Sequence, residues 1–408
     1  MKILYLHQYF NTPKMNGGTR SYEMARRMVA AGHEVHMVTS IREDNSKSSE
    51  WSYTNEDGIH VYWLSVPYNN KMSYFKRILA FFQFAIKARK KLIKLGGDII
   101  FATSTPLTIA IPAVYAKKKL GIPLVFEVRD LWPELPIVMG AIKSPLLKWA
   151  ARRLEMYAYF NSEHVVGLSP GMSEGVAARG YPVRRISTIP NSCDLALFCP
   201  KSNDGTEFRN RYSWLQERPL VIYAGTLGHI NGVSYLADLA AKVYPLNPDV
   251  RFLVIGSGVD EEKVRNRAIE LGIYDKNFFM LEKVAKKDIP AVFAAATIST
   301  SLFINLPEMW INSANKFFDA LAAGKPVAIN YGGWQKDIVE REKLGLVLST
   351  EPTEEAAKSL VEFLSNNECL SKCGVKSRKI AEEMYSRDKL AEDLITILEN
   401  THFENCVT

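Results

Sequence analysis

An α/β fold of two doubly wound, parallel-sheet domains follows from three observations. The chain has 408 residues, more than one ordinary core serves, so two or three domains is the natural division. Short apolar runs alternate with helical stretches, a pattern that belongs to parallel sheets covered on both faces. That alternation stops at a polar, turn-rich segment near the middle and then starts again.

In the first half the strands are expected at Lys2–Tyr9, Glu34–Thr39, His60–Val66, Asp98–Ala102, Leu124–Val128, His164–Leu168 and Ile186–Ile189. Helical periodicity intervenes at Arg20–Ala31, Tyr74–Lys94 and Leu107–Leu120. The pattern restarts with strands at Leu220–Ala224, Arg251–Ile255, Phe278–Leu281, Ile298–Leu302 and Pro326–Asn330, and a helix at Tyr235–Val243. A single helix over Arg378–Glu399 closes the chain. The expected division is a Rossmann-like domain at 1–190, a linker at 191–211 and a second Rossmann-like domain at 212–380. A C-terminal helix at 381–408 is expected to pack back towards the first domain. Ligands of open α/β sheets bind at the carboxyl ends of strands, so the expected site is a cleft on which both domains face.

Charge is uneven. Residues 1–200 hold 26 Lys+Arg against 15 Asp+Glu, while the remainder holds 25 against 29. A basic N-terminal half points to an anionic surface or substrate met by that half alone. No nucleic-acid-binding signature accompanies the charge, so nucleic acid is excluded as a partner. No run reaches the roughly 18–20 apolar residues of a membrane span. The opening Lys2-Ile3-Leu4-Tyr5-Leu6 reads as a buried strand, not a signal peptide. Five cysteines without zinc spacing suit a reducing cytoplasm.

Four segments carry the candidate chemistry. Gly17 and Gly18 open the first helix, where backbone N–H groups favour an anion. The absence of G-x-G-x-x-G there disfavours a nicotinamide cofactor. Arg129 and Asp130, the candidate catalytic residues, follow the Leu124–Val128 strand in a loop stiffened by Pro133 and Pro136. In the second half, Thr226 and Asn231 lie on the glycine-rich turn Gly225–Gly232, and Gly256 and Gly258 follow the next strand. The densest segment runs Asn312-Ser313-Ala314-Asn315-Lys316-Phe317-Phe318-Asp319, then Gly324-Lys325-Pro326-Val327. Asn312 or Ser313 is expected to cap a helix whose N–H groups face a diphosphate. Lys316 in the first turn opposes the helix dipole unless an anion is near. Asp319 is placed one turn after Asn315 to accept ribose hydroxyls.

These segments resemble the nucleotide-sugar site of retaining glycosyltransferase family 4, a GT-B fold, almost end to end. Further matches are Ala31-Gly32-His33-Glu34-Val35, Ile189-Pro190-Asn191-Ser192 with Asp194 and Phe198, and Asp319 through Val327. Arg129-Asp130-Leu131-Trp132-Pro133-Glu134 and Asn315 through Asp319 most resemble the O-antigen and capsule N-acetyl-L-fucosamine transferases. Two departures stand out. The family's first glutamate falls on Ile311, with Glu308 nearby but out of spacing, and its arginine and lysine fall on Thr226 and Asn231. Lys316, Lys283, Lys286 and Arg129 are the candidates to replace that charge, with Val284 beside Lys283 in the donor site.

The resemblance implies transfer of a sugar from a nucleoside-diphosphate donor, UDP favoured, with retention at the anomeric carbon. The sugar is expected to be an N-acetylated deoxy sugar. There is no Asp-x-Asp triplet, and His33-Glu34-Val35-His36 reads as strand, so no metal or other cofactor is expected. Residues 71–95 contain eight Lys/Arg and no acid, interleaved with Tyr74, Phe75, Ile78, Leu79, Phe81, Phe82, Phe84 and Ile86. That pattern describes a helix on an anionic membrane surface, with Lys76, Arg77, Phe81, Phe82, Lys87, Arg89, Lys90 and Lys91 as contacts. The acceptor is then a lipid-diphosphate-linked glycan of bacterial surface polysaccharide synthesis, met by a cytoplasmic protein at the inner face of the membrane. Two rivals share the architecture: a nucleotide-sugar 2-epimerase, and a catalytically silent scaffold.

Overall fold

The chain divides into two units, Met1–Pro190 with Asp388–Thr408, and Asn191–Arg387. The computed structural model describes residues 1–15, 17–42, 50–68, 72–130, 132–199 and 204–407. Asn16, Lys71, Leu131 and the Tyr74 and Phe75 side chains, which belong to the motifs above, lie outside the described residues.

In the first unit the strands are β1 (Lys2–Leu6), β2 (Glu34–Ile41), β3 (Trp51–Glu56), β4 (Ile59–Ser65), β5 (Ile99–Thr103), β6 (Leu124–Val128), β7 (His164–Gly167) and β8 (Ile186–Thr188). They form one sheet in the order β3-β4-β2-β1-β5-β6-β7-β8. Every neighbouring pair is parallel except β3 with β4. The helices are α1 (Arg20–Ala30), α2 (Tyr74–Leu95), α3 (Ala110–Leu120), α4 (Glu134–Val138), α5 (Pro145–Phe160) and α6 (Pro170–Ala178).

Alternation along each strand feeds two cores. Leu4, Leu6, Val38, Ile100, Ala102, Leu124 and Phe126 pack with Phe84 of α2, Ala113 of α3 and Tyr159 of α5. Ile3, Tyr5, Val35, Met37, Phe101 and Val125 point the other way, to Met24 and Met28 of α1 and to Leu390, Leu394 and Leu398. The last three residues lie on the C-terminal helix Arg387–Val407.

The second unit holds β9 (Leu220–Ala224), β10 (Arg251–Ile255), β11 (Phe278–Leu281), β12 (Ile298–Ser301), β13 (Val327–Ile329) and β14 (Gly345–Val347). Its helices are α7 (Asp204–Asn210), α8 (Ser234–Val243), α9 (Glu261–Glu270), α10 (Ile289–Ala295), α11 (Asn315–Ala322), α12 (Trp334–Glu342), α13 (Glu354–Ser365) and α14 (Asn367–Met384). The sheet is parallel throughout, in the order β11-β10-β9-β12-β13-β14. Chain direction across the sheet reverses between β9 and β12, as it does between β1 and β5 in the first unit. Loops leaving those strands diverge and leave a crevice at the carboxyl end of each sheet.

Three expectations need correction. β3 and β14 were not foreseen: β3 is a polar, mostly exposed edge strand paired antiparallel with β4 and tied to the core by Trp51, and β14 is only three residues long. The single last helix is two, α14 and Arg387–Val407. The break is pinned where Cys193 N–H donates to Tyr385 O (3.1 Å) and Arg387 N–H donates to Cys193 O (3.0 Å). Residues 191–211 are not a free linker but part of the second unit, with α7 packed on α10.

Candidate functional site

In the second unit, Lys316 comes to the turn at the carboxyl end of β9, and Asp319 lies one turn further along α11. α11 is anchored by Phe317 and Phe318, both fully buried, and each such side chain contributes about 1.5–3 kcal/mol. That anchoring fixes the two polar residues on the same helix. Lys316 runs across Gly225, whose φ is 158°, so that a Cβ there would strike the Lys316 side chain. Its Nζ lies 5.0 Å from the centre of the buried Tyr223 ring, and the Tyr223 hydroxyl donates to Thr226 O at 2.7 Å.

Both charges are poorly compensated. Burial pulls the Lys316 ammonium down to about 8, with Asp319 opposing the shift. Burial likewise pushes the Asp319 carboxyl up to about 6, against the pull of Arg387, Lys286 and Lys316. Among the described residues neither Lys316 nor Asp319 has a hydrogen-bonded or ion-paired partner. No side chain caps α11, so its first N–H groups lack a side-chain acceptor as well. A half-buried cation beside helix-start N–H groups that no side chain caps is an arrangement that favours an anion.

Ser313 does not cap the helix as expected. Its Oγ accepts from Asn191 N–H at 2.9 Å and its carbonyl accepts from Asn191 Nδ2 at 2.6 Å, while Ala314 occupies the cap position. Asn312 is no cap either; its carbonyl accepts from Trp334 Nε1 at 2.9 Å. Asn315 is exposed at the first helical position. Thr226 is exposed on the turn after β9, but Asn231 is buried and its Oδ1 accepts from Gly228 N–H at 3.3 Å. Asn231 therefore holds the turn's own shape. Gly256 and Gly258 have an internal reason too: a Cβ at either would strike the backbone of Gly225 or Leu227. Lys283 is exposed and Val284 half-buried on the loop after β11.

In the first unit, Arg129 and Asp130 gather at the reversal between β1 and β5. Asp130 Oδ2 accepts from Thr105 Oγ1 at 2.5 Å, and Arg129 N–H donates to Ser104 Oγ at 2.9 Å. Arg129 Nη1 lies 3.5 Å from His7 Nε2 and 3.3 Å from Ser21 Oγ. Burial, then Arg129 and Arg42, hold His7 well below the usual imidazole range, so the ring is neutral. Gly17 has φ 131°, and a Cβ there would strike the Asn11 amide, which itself donates to Gly18 O at 3.3 Å. Gly18 is exposed, with nothing close to its Cβ position.

Glu127, beside Arg129, belongs to the frame. It accepts from Arg20 Nε and Nη2 (3.1 and 2.9 Å) and from Thr103 Oγ1 (2.6 Å). Burial alone would raise its carboxyl, but Arg20 and Arg129 outweigh that and hold it below the usual range.

The α2 contacts divide. Lys76, Phe82 and Lys90 are exposed, and Arg77, Lys87 and Arg89 are half-buried. Phe81 instead joins Tyr68 and Tyr9, with ring centres 5.7 and 6.3 Å away, and Lys91 lies 4.1 Å over the Tyr62 ring. Those two are turned inward. Glu34 and His36 do lie in a strand, and with His60 they form the one group among the described residues close enough to hold a metal ion. The His36 and His60 rings stack at 4.9 Å and 17°, so their lone pairs run side by side and do not converge. His36 Nε2 already meets Glu34 Oε1 at 2.5 Å, and His60 Nδ1 meets the Tyr53 hydroxyl at 2.8 Å. Hydrogen bonding accounts for this cluster.

Comparison with known proteins agrees with this geometry. Residues 17–192 match the Glycosyl transferase 4-like domain, and residues 204–380 match Glycosyl transferases group 1. The chain is a glycosyltransferase of the family-4 type. It is 23% identical over 246 residues to spore coat protein SA of Bacillus subtilis, spanning 58% of this chain and 64% of that one. It is 23% identical over 297 residues to the putative colanic acid biosynthesis glycosyl transferase WcaI of Escherichia coli, 69% and 72% of the two chains. The alignments thus cover about two thirds of these relatives' length. HepE of Anabaena, solved in complex with UDP, superposes with a TM-score of 0.72 at 16% identity, over 98% of this chain and all of that one. The fold of this glycosyltransferase is therefore GT-B.

Sequence reasoning missed several groups at these two crevices. His7 Nδ1 and both Gln8 amide atoms are buried with no partner, at the end of β1. Glu308 Oε2 and Trp310 Nε1 are likewise orphaned in the loop before α11. Arg387 reaches Asp319 electrostatically from the far end of the chain, where no local motif announces it. The His-Gln pair directly after an apolar strand was a readable signal; Arg387 was not.

Proposed function

We propose that this enzyme binds a UDP-linked sugar in its second unit and passes the sugar to a lipid-diphosphate-linked glycan at the inner face of the membrane. The observation that carries the donor reading is Lys316: a cation held near the β9 turn, short of an anion, beside an uncapped helix start. A diphosphate supplies the missing charge, and Asp319 one turn on accepts hydroxyl hydrogens from ribose. Thr226 and the Asn315 amide are the further donor contacts, with Lys286 and Arg387 completing the positive surround. HepE was also solved with UDP-glucose, which supports a uridine donor.

Transfer proceeds with retention and without a metal ion. The leaving diphosphate is stabilised by Lys316 and the α11 N–H groups. Arg129 and Asp130 handle the acceptor at the first unit's crevice. The name of WcaI supports a role in surface polysaccharide assembly, and an N-acetylated deoxy sugar is the proposed cargo. The relatives' glycosyltransferase names leave the epimerase and scaffold readings without support.

Calorimetric titration with UDP, GDP, ADP and CMP, with EDTA present throughout, tests the reading. Binding of UDP alone, with release of UDP from a UDP-sugar on adding a polyprenyl-diphosphate saccharide, is the expected result. Tight binding of another nucleotide, or turnover that requires added Mg²⁺, contradicts it.

A further inference from the structure

Three helices, α2, α3 and α5, cover one face of the first unit's sheet, α2 packing on α3 and α3 on α5. Together they carry 13 Lys and Arg against one acid, Glu155. That acid is buried and bound to Arg179 at 3.0 Å, so this layer presents cations with no carboxylate of its own at the surface. The opposite face differs. The C-terminal helix that helps cover it carries Asp388, Glu392, Asp393, Glu399 and Glu404.

The same basic layer is unusually apolar outside. Its clearest patch is the start of α5 and the turn before it. Leu146 is 71% exposed, Trp149 61% and Leu147 48%, with Val138 and Met139 close by in sequence and also exposed. From Leu135 to Leu154 there is no acid, while Lys143, Lys148, Arg152 and Arg153 are interspersed, with Arg152 paired to Glu134 at 3.2 Å. Arg153 lies 5.9 Å over the Trp149 ring, and Lys118 of α3 lies 5.9 Å over Tyr157. α2 adds exposed Leu79, Phe82 and Ile86 on the same layer.

A patch of this kind has a cost in water unless something covers it. Apolar side chains ringed by cations, with a tryptophan among them, match the interface of an anionic bilayer: tails for the leucines, headgroups for the lysines and arginines. Another protein would need acidic residues around its own apolar face, whereas an anionic leaflet offers both at once.

We propose that the first two turns of α5, with Leu146, Leu147 and Trp149, form an insertion wedge into an anionic lipid surface, and that α2 and α3 supply electrostatic attraction beside it. The proposal rests on the membrane reading above but assigns the insertion to α5, which α2 alone does not require.

The test is vesicle co-sedimentation of the full chain with phosphatidylglycerol-containing and pure phosphatidylcholine vesicles. The chain is compared with Leu146→Ser/Trp149→Ser and with Lys87→Ser/Lys90→Ser. Lys87 is half-buried and the other three positions are exposed, and melting curves check that each variant folds. The wedge predicts binding to the anionic vesicles only, weakened about tenfold or more by the α5 pair, with the fluorescence blue shift on binding lost in that variant. Undiminished binding by the α5 pair, with loss in the α2 pair, overturns the wedge and leaves the membrane reading standing. No binding by the native chain overturns both. Concentration-dependent dimerisation that the α5 pair abolishes, without vesicle binding, assigns the patch to a second copy and overturns the lipid proposal.

Discussion

Two charge pairs, one buried in the first unit and one half-buried in the second, are built to opposite ends. Arg20 and Glu127 are fully satisfied: besides each other, Arg20 Nη1 donates to Pro190 O at 2.7 Å and Nη2 to Ile189 O at 3.0 Å. The Glu127 carboxyl is held low, the mark of a charge the fold wants ionised. Lys316 and Asp319 lie one turn apart on α11 without a bond between them, and both are pushed towards neutrality. The first pair closes the frame where α1, β6 and the end of β8 meet. The second leaves electrostatic work undone, which is what a ligand of the right charge then completes. The direction of the shift separates the two pairs: Glu127 is held ionised by its partners, whereas Lys316 and Asp319 are both pushed towards neutrality.

Breaking the satisfied pair should cost most. Arg20→Ala strands an ionised, fully buried Glu127, and about 3–5 kcal/mol of stability is expected to go. Denaturant unfolding measures it. A loss below about 1 kcal/mol would show that the pair is not the structural element described.

Next is the turn that positions Lys316. Gly258→Ala drives a Cβ into the Leu227 backbone and should destabilise by about 1–3 kcal/mol, with UDP affinity falling in step. An unchanged melting temperature would mean the glycine serves the ligand and not the fold.

Asp319→Asn sharpens the comparison from the other side. It exchanges one carboxylate oxygen for an amide donor and removes the charge, so UDP affinity should fall about tenfold, while the free protein loses no stability at pH 7. A stability loss like that of Arg20→Ala would make Asp319 structural after all.

The smallest effects are pH slopes, whose signs follow from the shifts. Asp319 titrates near 6 when folded, above its ordinary 3.8, so the folded state holds the extra proton between those values. Its contribution therefore falls as pH rises from about 4 to 6. Lys316 titrates near 8, below its ordinary 10.5, so the unfolded state holds the extra proton there and stability rises from about pH 8 to 10. Difference melting curves against Asp319→Asn and Lys316→Met isolate each slope, and slopes of opposite sign would break the assignment.

Much of this was legible in the sequence. Most strands of the two sheets were read from apolar runs, because buried parallel strands need such runs; the three-residue β14 was too short to leave one. Lys316 was found because a cation in a helix's first turn is misplaced without an anion. β3 stayed hidden because a polar edge strand has no apolar pattern to read; Asp57-Gly58, a hairpin turn signal, was its one trace. The Ser313 cap failed for a different reason. Whether a serine caps a helix or accepts from a distant amide, here Asn191, is decided by tertiary contact. Arg387 needed the fold itself to bring it into view, whereas His7-Gln8 directly after an apolar strand was a signal that went unread.

The most direct test of the account is UDP titration of the native chain, Lys316→Met and Lys316→Arg by calorimetry at pH 7. A diphosphate resting on the Lys316 ammonium predicts about a hundredfold weaker binding in Lys316→Met, partial recovery in Lys316→Arg, and native affinity that declines as pH rises through about 8. Equal affinity in all three proteins, with no decline near pH 8, would place the nucleotide elsewhere.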